Sequence, residues 1–443
     1  MAKLNVSASD PSNRPTTHEG AFAVRINPTL QLKRSVMSCL LWESQFYEEG
    51  ESIAERIVKT IPLVDPQKVA DIAIEAREKM KLRHVPLFIV REMARLKTHQ
   101  HLVAKTLERV IQRADELTEF LAIYWKDGRQ KLSAQVKKGL AATFPKFSAY
   151  NLSKYDRDGI VKLRDVLFLC HAKPKDDTQA EVWKKLIDGK LESPDTWEVA
   201  LSAGKDKKET WERLISENKL AGLAYLRNLR NMQESNVPKT TIKEGLIKTD
   251  TSKVLPFRFI AAARFAPDLE PELETKMFEV ISEMEKLSGE TVILVDVSGS
   301  MNDRLSSKSD MTRMDAACGV AMVGRELCQS TTVFTFSSKL AQVPSRRGFA
   351  LRDAIVSSQS HQATYLGQAI KLIEEKFNYD RMIIITDEQS HDQVSNPKAK
   401  SYIINVASYQ NGVGYHNNFI HVDGWSEAVI NYICEYEKLE GGN

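Results

Sequence analysis

The sequence predicts a chain in two parts: a long segment of stacked α-helices, followed by an α/β domain built on a doubly wound parallel sheet. Through residues 30–285 apolar residues recur at helical spacing, with almost no alternating β pattern. From Ser288-Gly289 onward, short β-branched runs alternate with helical stretches, which is typical of a parallel sheet covered by helices. The length of 443 residues is ample for two or three domains with substantial cores.

Composition excludes several classes of protein. Apolar residues make up 42% and charged residues 27%, as in an ordinary globular protein, and no apolar run is long enough to span a bilayer. Residues 1–19 are polar and lack the apolar core of a secretory signal, so we expect a flexible tail on a cytoplasmic protein. The five cysteines contain no CxxC pair, which favours reduced, mostly buried thiols over a disulfide framework or a structural zinc site.

Residues 20–285 are assigned to the helical segment. In RHVPLFIVREMARLKT the apolar residues fall on one helix face, and Arg91 and Arg95 fall away from it. HLVAKTLERVIQRADELTEFLAIYW repeats this pattern, and LRDVLFLCHAKP predicts a short buried helix stopped by Pro174. KETWERLISENKLAGLAYLRNLRNM predicts two helices separated near Asn218. We expect the helices to stack in pairs, although no exact repeat period is visible.

Positive charge is concentrated in the helical segment. Residues 1–285 hold 47 Lys+Arg against 41 Asp+Glu, whereas the remainder holds 15 against 18. Residues 77–138 alone hold 15 basic and 7 acidic side chains. Such a field attracts polyanions such as nucleic acids, and the alternative is a set of solvated helix faces.

Residues 286–443 are assigned to the α/β domain. TVILVDVSGSM predicts a central parallel strand that ends in a Ser/Gly turn. The other predicted strands are TTVFTFS, RMIIITDEQS, SYIINVA and NFIHVDG, and the predicted helices are RMDAACGVAMVGRELC, LGQAIKLIEEKF and SEAVINYICEYEKL. Ligands of such sheets bind at the carboxyl ends of the strands, where the polar loops after Asp296 and Thr386 lie.

These loops carry a candidate metal site. Asp296, Ser298 and Ser300 alternate in the turn after the first strand, and Asp387 follows another strand at the same sheet edge. Thr364, in a loop before a helix, can supply a further hydroxyl. Carboxylates and hydroxyls are hard oxygen donors, which suit Mg²⁺ or Mn²⁺ and are poor ligands for zinc. The alternative is a Ser-rich turn beside a strand-end Asp.

The DxSxS motif, with its downstream Thr and strand-end Asp, resembles the metal-ion-dependent adhesion site of von Willebrand factor A domains. The resemblance implies that Ser298, Ser300 and Thr364 contact the ion. Asp296 and Asp387 would hold it directly or through water. Gln362-Ala363 stand before the Thr, where many such domains have glycines. Because the open coordination position usually accepts an oxygen from a partner, the resemblance implies binding rather than turnover.

The helical segment resembles a second family. LRDVLFLCHAKP, TWERLISENKLAGLAYLRNLRNM, LPFRFIAAAR and KLRHVPLFIVREMAR are similar to signature stretches of TROVE domains. Followed by the DVSGSM domain, they make the chain similar to the Ro autoantigen (TROVE) family from about Gly20 to Leu439. The resemblance implies a ring of HEAT-like helical repeats closed by the von Willebrand factor A domain.

The resemblance also implies a function. Family members are non-catalytic ribonucleoprotein components that bind small noncoding Y RNA on an outer basic surface. They take single-stranded 3′ ends of misfolded noncoding RNA through a central hole, which serves RNA quality control. Related bacterial proteins tether RNA to exoribonucleases or accompany RNA-repair genes, so such enzymes are candidate partners. We expect a monomer.

The stretch KYDRDGIVKLRDVLFLCH matches the family's Y-RNA-contacting segment, which carries a Lys, an Arg and a His. Lys154 and His171 match the first and last positions, while an ungapped match puts Asp158 at the middle one, next to Arg157. The alternatives are solvated charges and a helix-end histidine packed against Pro174. The candidate RNA-binding residues are therefore Lys154, Arg157, Arg164, His171, Arg91 and Arg95.

Two other functions compete with RNA binding. A metal-dependent protein-interaction scaffold would engage acidic side chains of a partner at the metal site. A metal-dependent phosphoesterase would use Asp296 and Asp387, but two-metal hydrolysis needs more convergent carboxylates than the motif offers. No P-loop and no Ser-His-Asp arrangement stands out, so we predict a protein that is not an enzyme.

Overall fold

The structure is a computed structural model of the full chain. The residues that it describes are 27–38, 50–78, 82–156, 159–202, 204, 206–252, 254, 256–284, 286–305, 309–407, 418–423, 430, 433 and 437. The predicted tail at 1–19, Arg157, and most of the predicted helix SEAVINYICEYEKL lie outside these residues.

The helical segment comes first and the strands follow. The helices are α1 (Pro28–Ser38), α2 (Gly50–Thr60), α3 (Pro66–Glu78), α4 (His84–Arg95), α5 (Val103–Val110), α6 (Asp115–Tyr124), α7 (Ala134–Thr143), α8 (Ala149–Tyr155), α9 (Leu163–Cys170), α10 (Asp177–Ile187), α11 (Trp197–Ser202), α12 (Lys207–Ser216), α13 (Gly222–Glu234), α14 (Lys239–Lys248), α15 (Pro256–Phe265), α16 (Glu270–Ser282), α17 (Arg313–Leu327), α18 (Gly348–Val356) and α19 (Leu366–Lys376). The strands are β1 (Leu287–Asp296), β2 (Cys328–Phe336), β3 (Leu340–Gln342), β4 (Arg381–Thr386), β5 (Lys400–Asn405) and β6 (Phe419–Asp423). Short 3-10 turns lie at Ile61–Leu63, Gln100–Leu102, Phe144–Lys146, Pro267–Leu269 and Gly299–Asn302.

The helices pack around two hydrophobic cores. Helices α1 to α10 share one core, in which α1 packs on α2, α3 on α4, and α5 on α7. Helices α12 to α16 share the other core with one face of the sheet. Amphipathic helices stack in this way because each can bury its apolar stripe only against a neighbour. The second half of the helical segment is therefore continuous with the α/β domain.

The sheet has six strands in the order β3-β2-β1-β4-β5-β6. All neighbours are parallel except β3, which pairs antiparallel with β2 at the edge. Side chains of β1 alternate between the two faces: Ile293 and Val295 enter the core shared with the helical segment, while Val292 and Leu294 face α19. The DxSxS turn follows this central strand at its carboxyl end.

Two of the contacts between the helical segment and the α/β domain lie at opposite ends of the helical segment. At one of them α15 crosses α17 at Gly319, where an added Cβ would lie 3.0 Å from Ile260 Cδ1 and from Phe257 Cδ2. At the other, the first helix α1 packs on the last strand β6. The buried Arg34 of α1 pairs there with Glu388, in the loop after β4. The chain thus closes on itself, and the fold is a HEAT-like helical ring completed by the α/β domain.

Most local predictions are confirmed. The helices α4 and α9 begin and end close to the predicted bounds, and α12 and α13 are separated around Asn218, which has a left-handed φ of 49°. Three cysteines within the described ranges, Cys170, Cys318 and Cys328, are free and buried. Within the same ranges, no helix is long and apolar enough to cross a membrane.

The doubly wound sheet is confirmed, and at its edge the short strand β3 pairs antiparallel with β2 and leads into α18, a helix that was not predicted. One prediction is wrong: Arg91 does not lie away from the buried face. Residues 85–94 of α4 are all buried, since α4 packs against α3, α5 and α6 together and retains no free face.

Candidate metal centre and RNA-binding face

The five predicted metal ligands are Asp296, Ser298, Ser300, Thr364 and Asp387, called here the metal-site cluster. Asp296 ends β1 and Asp387 follows β4, and these strands are neighbours in the sheet. The carboxyl ends of parallel neighbours meet at one edge, so both carboxylates lie at the same edge. Both are fully buried, as is Ser298. The loop that carries Thr364 is joined to the DxSxS turn by a 3.1 Å hydrogen bond from the Gly299 amide to the Gln362 carbonyl.

Hydrogen bonds link four of these residues in series. The Ser298 amide donates to Asp296 Oδ1 at 2.8 Å, and the Ser298 and Ser300 hydroxyls lie 3.3 Å apart. The Ser300 hydroxyl then donates to Asp387 Oδ2 at 2.7 Å. Thr364 is held beside them through its backbone, because its carbonyl accepts from the His391 amide at 2.9 Å, in the loop that follows Asp387. The structure therefore brings together the residues that the sequence predicts.

Two further side chains contact the cluster and were not predicted from the sequence. Thr386 donates its hydroxyl to Asp296 Oδ2 at 2.7 Å. The buried Arg313, in the first turn of α17, places Nη1 3.4 Å from Asp387 Oδ2 and 3.4 Å from the Ser300 carbonyl. The only signal for Arg313 is local: Thr312 and Asp315 form a capping box that begins α17 at this residue.

The electrostatics of the cluster suit a hard cation. Burial, and after it the negative charge of Asp387, raise the pKa of Asp296 to about 7. Arg313 supplies one positive charge against these two carboxylates. A divalent ion would offset the remaining repulsion and would find carboxylate and hydroxyl oxygens, the donors that Mg²⁺ and Mn²⁺ prefer. The donor set therefore fits such an ion.

Glu388, the residue after Asp387, faces a different neighbourhood. Its backbone has a φ of 60°, in the left-handed region that non-glycine residues rarely adopt. Its carboxylate accepts from Arg34 Nη1 at 2.5 Å and lies 2.6 Å from His421 Nδ1 of β6. Burial alone would raise the pKa of Glu388, but Arg34 and His421 outweigh it and hold the pKa below its usual value. The loop after β4 thus contributes Asp387 to the metal-site cluster. Its next residue, Glu388, belongs to the contact between α1 and the α/β domain that closes the ring, which we call the seam.

The predicted RNA-binding residues fall into two groups. Arg91 is buried and pairs with Asp127 and Glu92, so its guanidinium is occupied within the fold. Arg95 also pairs with Asp127, at 3.0 Å, and Lys154 lies 3.6 Å from Glu198.

Arg164 and His171, by contrast, are exposed on α9 and at its C-terminal cap. His171 occupies the left-handed cap position, with a φ of 54°, which ends the helix three residues before Pro174.

The fold defines a class: a helical-repeat ring completed by a von Willebrand factor A-type domain, with the DxSxS turn at the carboxyl edge of its sheet. Residues 188–332 match the family model of the TROVE domain, a range that runs from the helical segment into β1 and β2. The structure is similar to one titled crystal structure of Deinococcus radiodurans RO (RSR) protein. The TM-score is 0.58 and the sequence identity 16%, over 90% of this chain and 98% of that one. A search of curated proteins found no match.

The TROVE-domain match covers part of the chain, and the similarity to the Deinococcus protein shows that the two share a fold.

Proposed function

We propose that this protein is a non-catalytic RNA-binding protein that holds folded, Y-like noncoding RNA on the outer surface around α9 and admits single-stranded RNA 3′ ends into its ring. Binding on the outer surface is supported by a set of exposed basic side chains that have no carboxylate partner among the described residues. Arg164, His171, Lys173 and Lys175 are exposed, and none forms an ion pair with any residue that the structure describes. Cations in this state are available to phosphate oxygens.

The contrast with the other candidates sharpens this proposal. Arg91, Arg95 and Lys154 each have a carboxylate within 4.0 Å, so an RNA phosphate would have to compete with an existing partner. Neutralising a phosphate with an unpaired cation releases counterions without breaking such a pair. We therefore assign the phosphate contacts to the α9 region rather than to α4.

The test compares two triple variants that each remove three positive charges. Arg164→Gln/Lys173→Gln/Lys175→Gln changes the α9 region, and Lys339→Gln/Lys371→Gln/Lys376→Gln changes exposed lysines of the α/β domain. Binding of a folded hairpin RNA is measured at several salt concentrations. The α9 variant should weaken binding and lower the log–log salt slope by two to three units, at about one unit per phosphate contact. Equal losses in both variants would contradict the assignment.

The second part, entry of 3′ ends into the ring, needs a different pair of RNAs. A duplex with a single-stranded 3′ tail should bind more tightly than the same duplex with blunt ends, because only a single strand is narrow enough to thread. The α9 triple variant should keep this preference for the tail, since other residues would line the hole. Equal binding of tailed and blunt duplexes would contradict threading and leave only a basic surface.

We further propose that the metal-site cluster holds one Mg²⁺ or Mn²⁺ ion. Asp296, Ser298, Ser300, Thr364 and Asp387 would be its ligands. Asp296→Ala should abolish binding of Mg²⁺ measured by calorimetry and should abolish the rise in Tm that the ion causes. The control is Asp310→Asn, which changes an exposed carboxylate between the DxSxS turn and α17. It should leave the Mg²⁺ affinity and the rise in Tm unchanged.

A role in binding rather than hydrolysis follows from the scarcity of ligands. Across the described ranges, no group of three or more His, Cys, Asp or Glu side chains is arranged to hold a metal. Two-metal phosphoester cleavage requires more carboxylates than this. Labelled RNA incubated with protein and Mg²⁺ should stay intact, and cleavage that disappears in Asp296→Ala would contradict the proposal.

A further inference from the structure

Helix α9 buries one face, but its exposed face carries a large aromatic side chain. Leu163, Val166, Leu167 and Cys170 are buried, but Phe168 is 56% exposed. Among the phenylalanines that the structure describes, Phe265 is the only other exposed one, at 39%. Phe265 has a neighbour, since the guanidinium of Arg230 lies 5.7 Å from its ring centroid. Phe168 makes no ring contact with any described residue.

Along the chain, Phe168 lies between Arg164 and His171, two side chains that can donate hydrogen bonds to phosphates. Arg164 and Phe168 are four residues apart and lie on one side of α9, and His171 follows at the C-terminal cap; we call these three residues the α9 face. At 1.5 Å rise per residue, the backbones of Arg164 and His171 are separated by about 10 Å along the helix axis, and Phe168 lies between them in the chain. All three side chains are exposed.

The charges around the α9 face favour a polyanion. Residues 159–175 contain four basic side chains and one acidic one, Asp165. That carboxylate is engaged at the helix N-terminus, where it accepts from the Lys162 amide at 2.9 Å. Asp176, just beyond this stretch, caps α10 by accepting from the Gln179 amide at 2.7 Å.

An exposed ring flanked by cations matches the chemistry of one nucleotide between two phosphates. Every base has an aromatic face that can stack on a phenylalanine, and the phosphates on either side can pair with cations. Such a ring is open only to an unpaired base, because bases inside a duplex already stack on each other. A surface that bound RNA only through charge would not require an exposed phenylalanine.

We propose that Phe168 is a stacking platform for one unpaired RNA base, with Arg164 and His171 holding the adjacent phosphates. This inference rests on the proposed RNA-binding function and deepens it. The α9 face recognises a loop, bulge or single-stranded segment of a folded RNA, and duplex RNA lacks the element that it binds.

The test uses a hairpin RNA with 2-aminopurine in its loop and four single variants of the full chain, one of which is Arg164→Gln. Phe168→Leu keeps an apolar side chain and removes the aromatic face, Phe168→Trp keeps an aromatic face, and Phe265→Leu is the control at the other exposed phenylalanine. Since Phe168 is exposed, its replacement should leave the fold intact, which thermal melts would verify.

Phe168→Leu should weaken hairpin binding by roughly tenfold, within the range of one base–aromatic stack, and should relieve the quenching of 2-aminopurine. It should leave the salt slope unchanged, because it removes no phosphate contact, whereas Arg164→Gln should lower that slope by about one unit. Phe168→Trp and Phe265→Leu should bind like the wild type.

Three results would overturn the inference, and they are distinguishable. If Phe168→Leu binds the hairpin within twofold of the wild type while Arg164→Gln weakens it, the face is only electrostatic and RNA binding itself survives. If the wild-type chain binds neither hairpin nor single-stranded RNA in a salt-dependent manner, the proposed function fails together with the platform. A Phe168→Leu effect confined to anionic phosphatidylglycerol vesicles would also refute it.

Discussion

Removal of the Arg34 side chain should open the seam of the ring. Arg34 and Glu388 are separated by 354 residues in the chain, and their side chains are 1% and 0% exposed. Arg34→Met replaces the guanidinium with an apolar chain of similar length. It leaves the carboxylate of Glu388 buried beside His421, its remaining partner.

The magnitude follows from this burial. Removing one partner of a buried ion pair costs about 3–5 kcal/mol, mainly because the other charge stays buried without compensation. His421 still faces Glu388, so we expect the lower end, about 3 kcal/mol, which changes an equilibrium by roughly 150-fold. Because α1 contributes only one of the contacts that hold the ring together, we expect this loss of stability to cause local detachment of α1 before global unfolding.

Hydrogen exchange measured peptide by peptide is the appropriate assay. Amides of α1 in Arg34→Met should exchange on the order of a hundredfold faster, while those of β1 and β4 keep their protection. Lys33→Met is the matched control on the same helix, since Lys33 pairs with Glu75 in a partly exposed bridge of 3.1 Å. Such a bridge contributes about 1 kcal/mol at most. Equal protection of α1 in Arg34→Met and Lys33→Met would refute the reasoning.

Three further predictions concern the α/β domain. Burial alone would raise the pKa of Glu437, but hydrogen bonds from Arg381 outweigh it and lower the pKa. Its stabilisation is therefore full above its usual value of 4.5 and is lost as the pH falls through the lowered value. In urea denaturation, Glu437→Gln should cost about 2–3 kcal/mol at pH 7, and the gap to the wild type should shrink in acid; a constant gap would contradict this. Gly319→Leu should lower stability by about 1–3 kcal/mol, because its side chain would collide with Ile260; an unchanged denaturation midpoint would count against that close approach. Arg313→Gln should tighten Mg²⁺ binding in calorimetry by about tenfold, because it removes a positive charge beside the proposed ion; weaker binding would indicate that the arginine instead orders the ligands.

The local sequence determined the elements and the metal-site cluster. Repeated apolar residues at helical spacing define α4, α9 and α13, and a β-branched run with the DxSxS turn defines β1 and the loop after it. These features are set by contacts within a few residues and by the burial of one face. Asp387 was predictable too, because the carboxyl ends of neighbouring parallel strands meet at one edge.

Only the tertiary structure decided which charges are available and how the chain closes. Helical spacing gives Arg91 a position away from one buried face, but several helices surround α4, so Arg91 is buried and paired with Asp127. The pairing of Arg34 with Glu388 joins residues 354 positions apart. No local pattern encodes it, because a buried ion pair depends on which surfaces meet when the ring closes, and that meeting is set by the summed packing of all the helices between them.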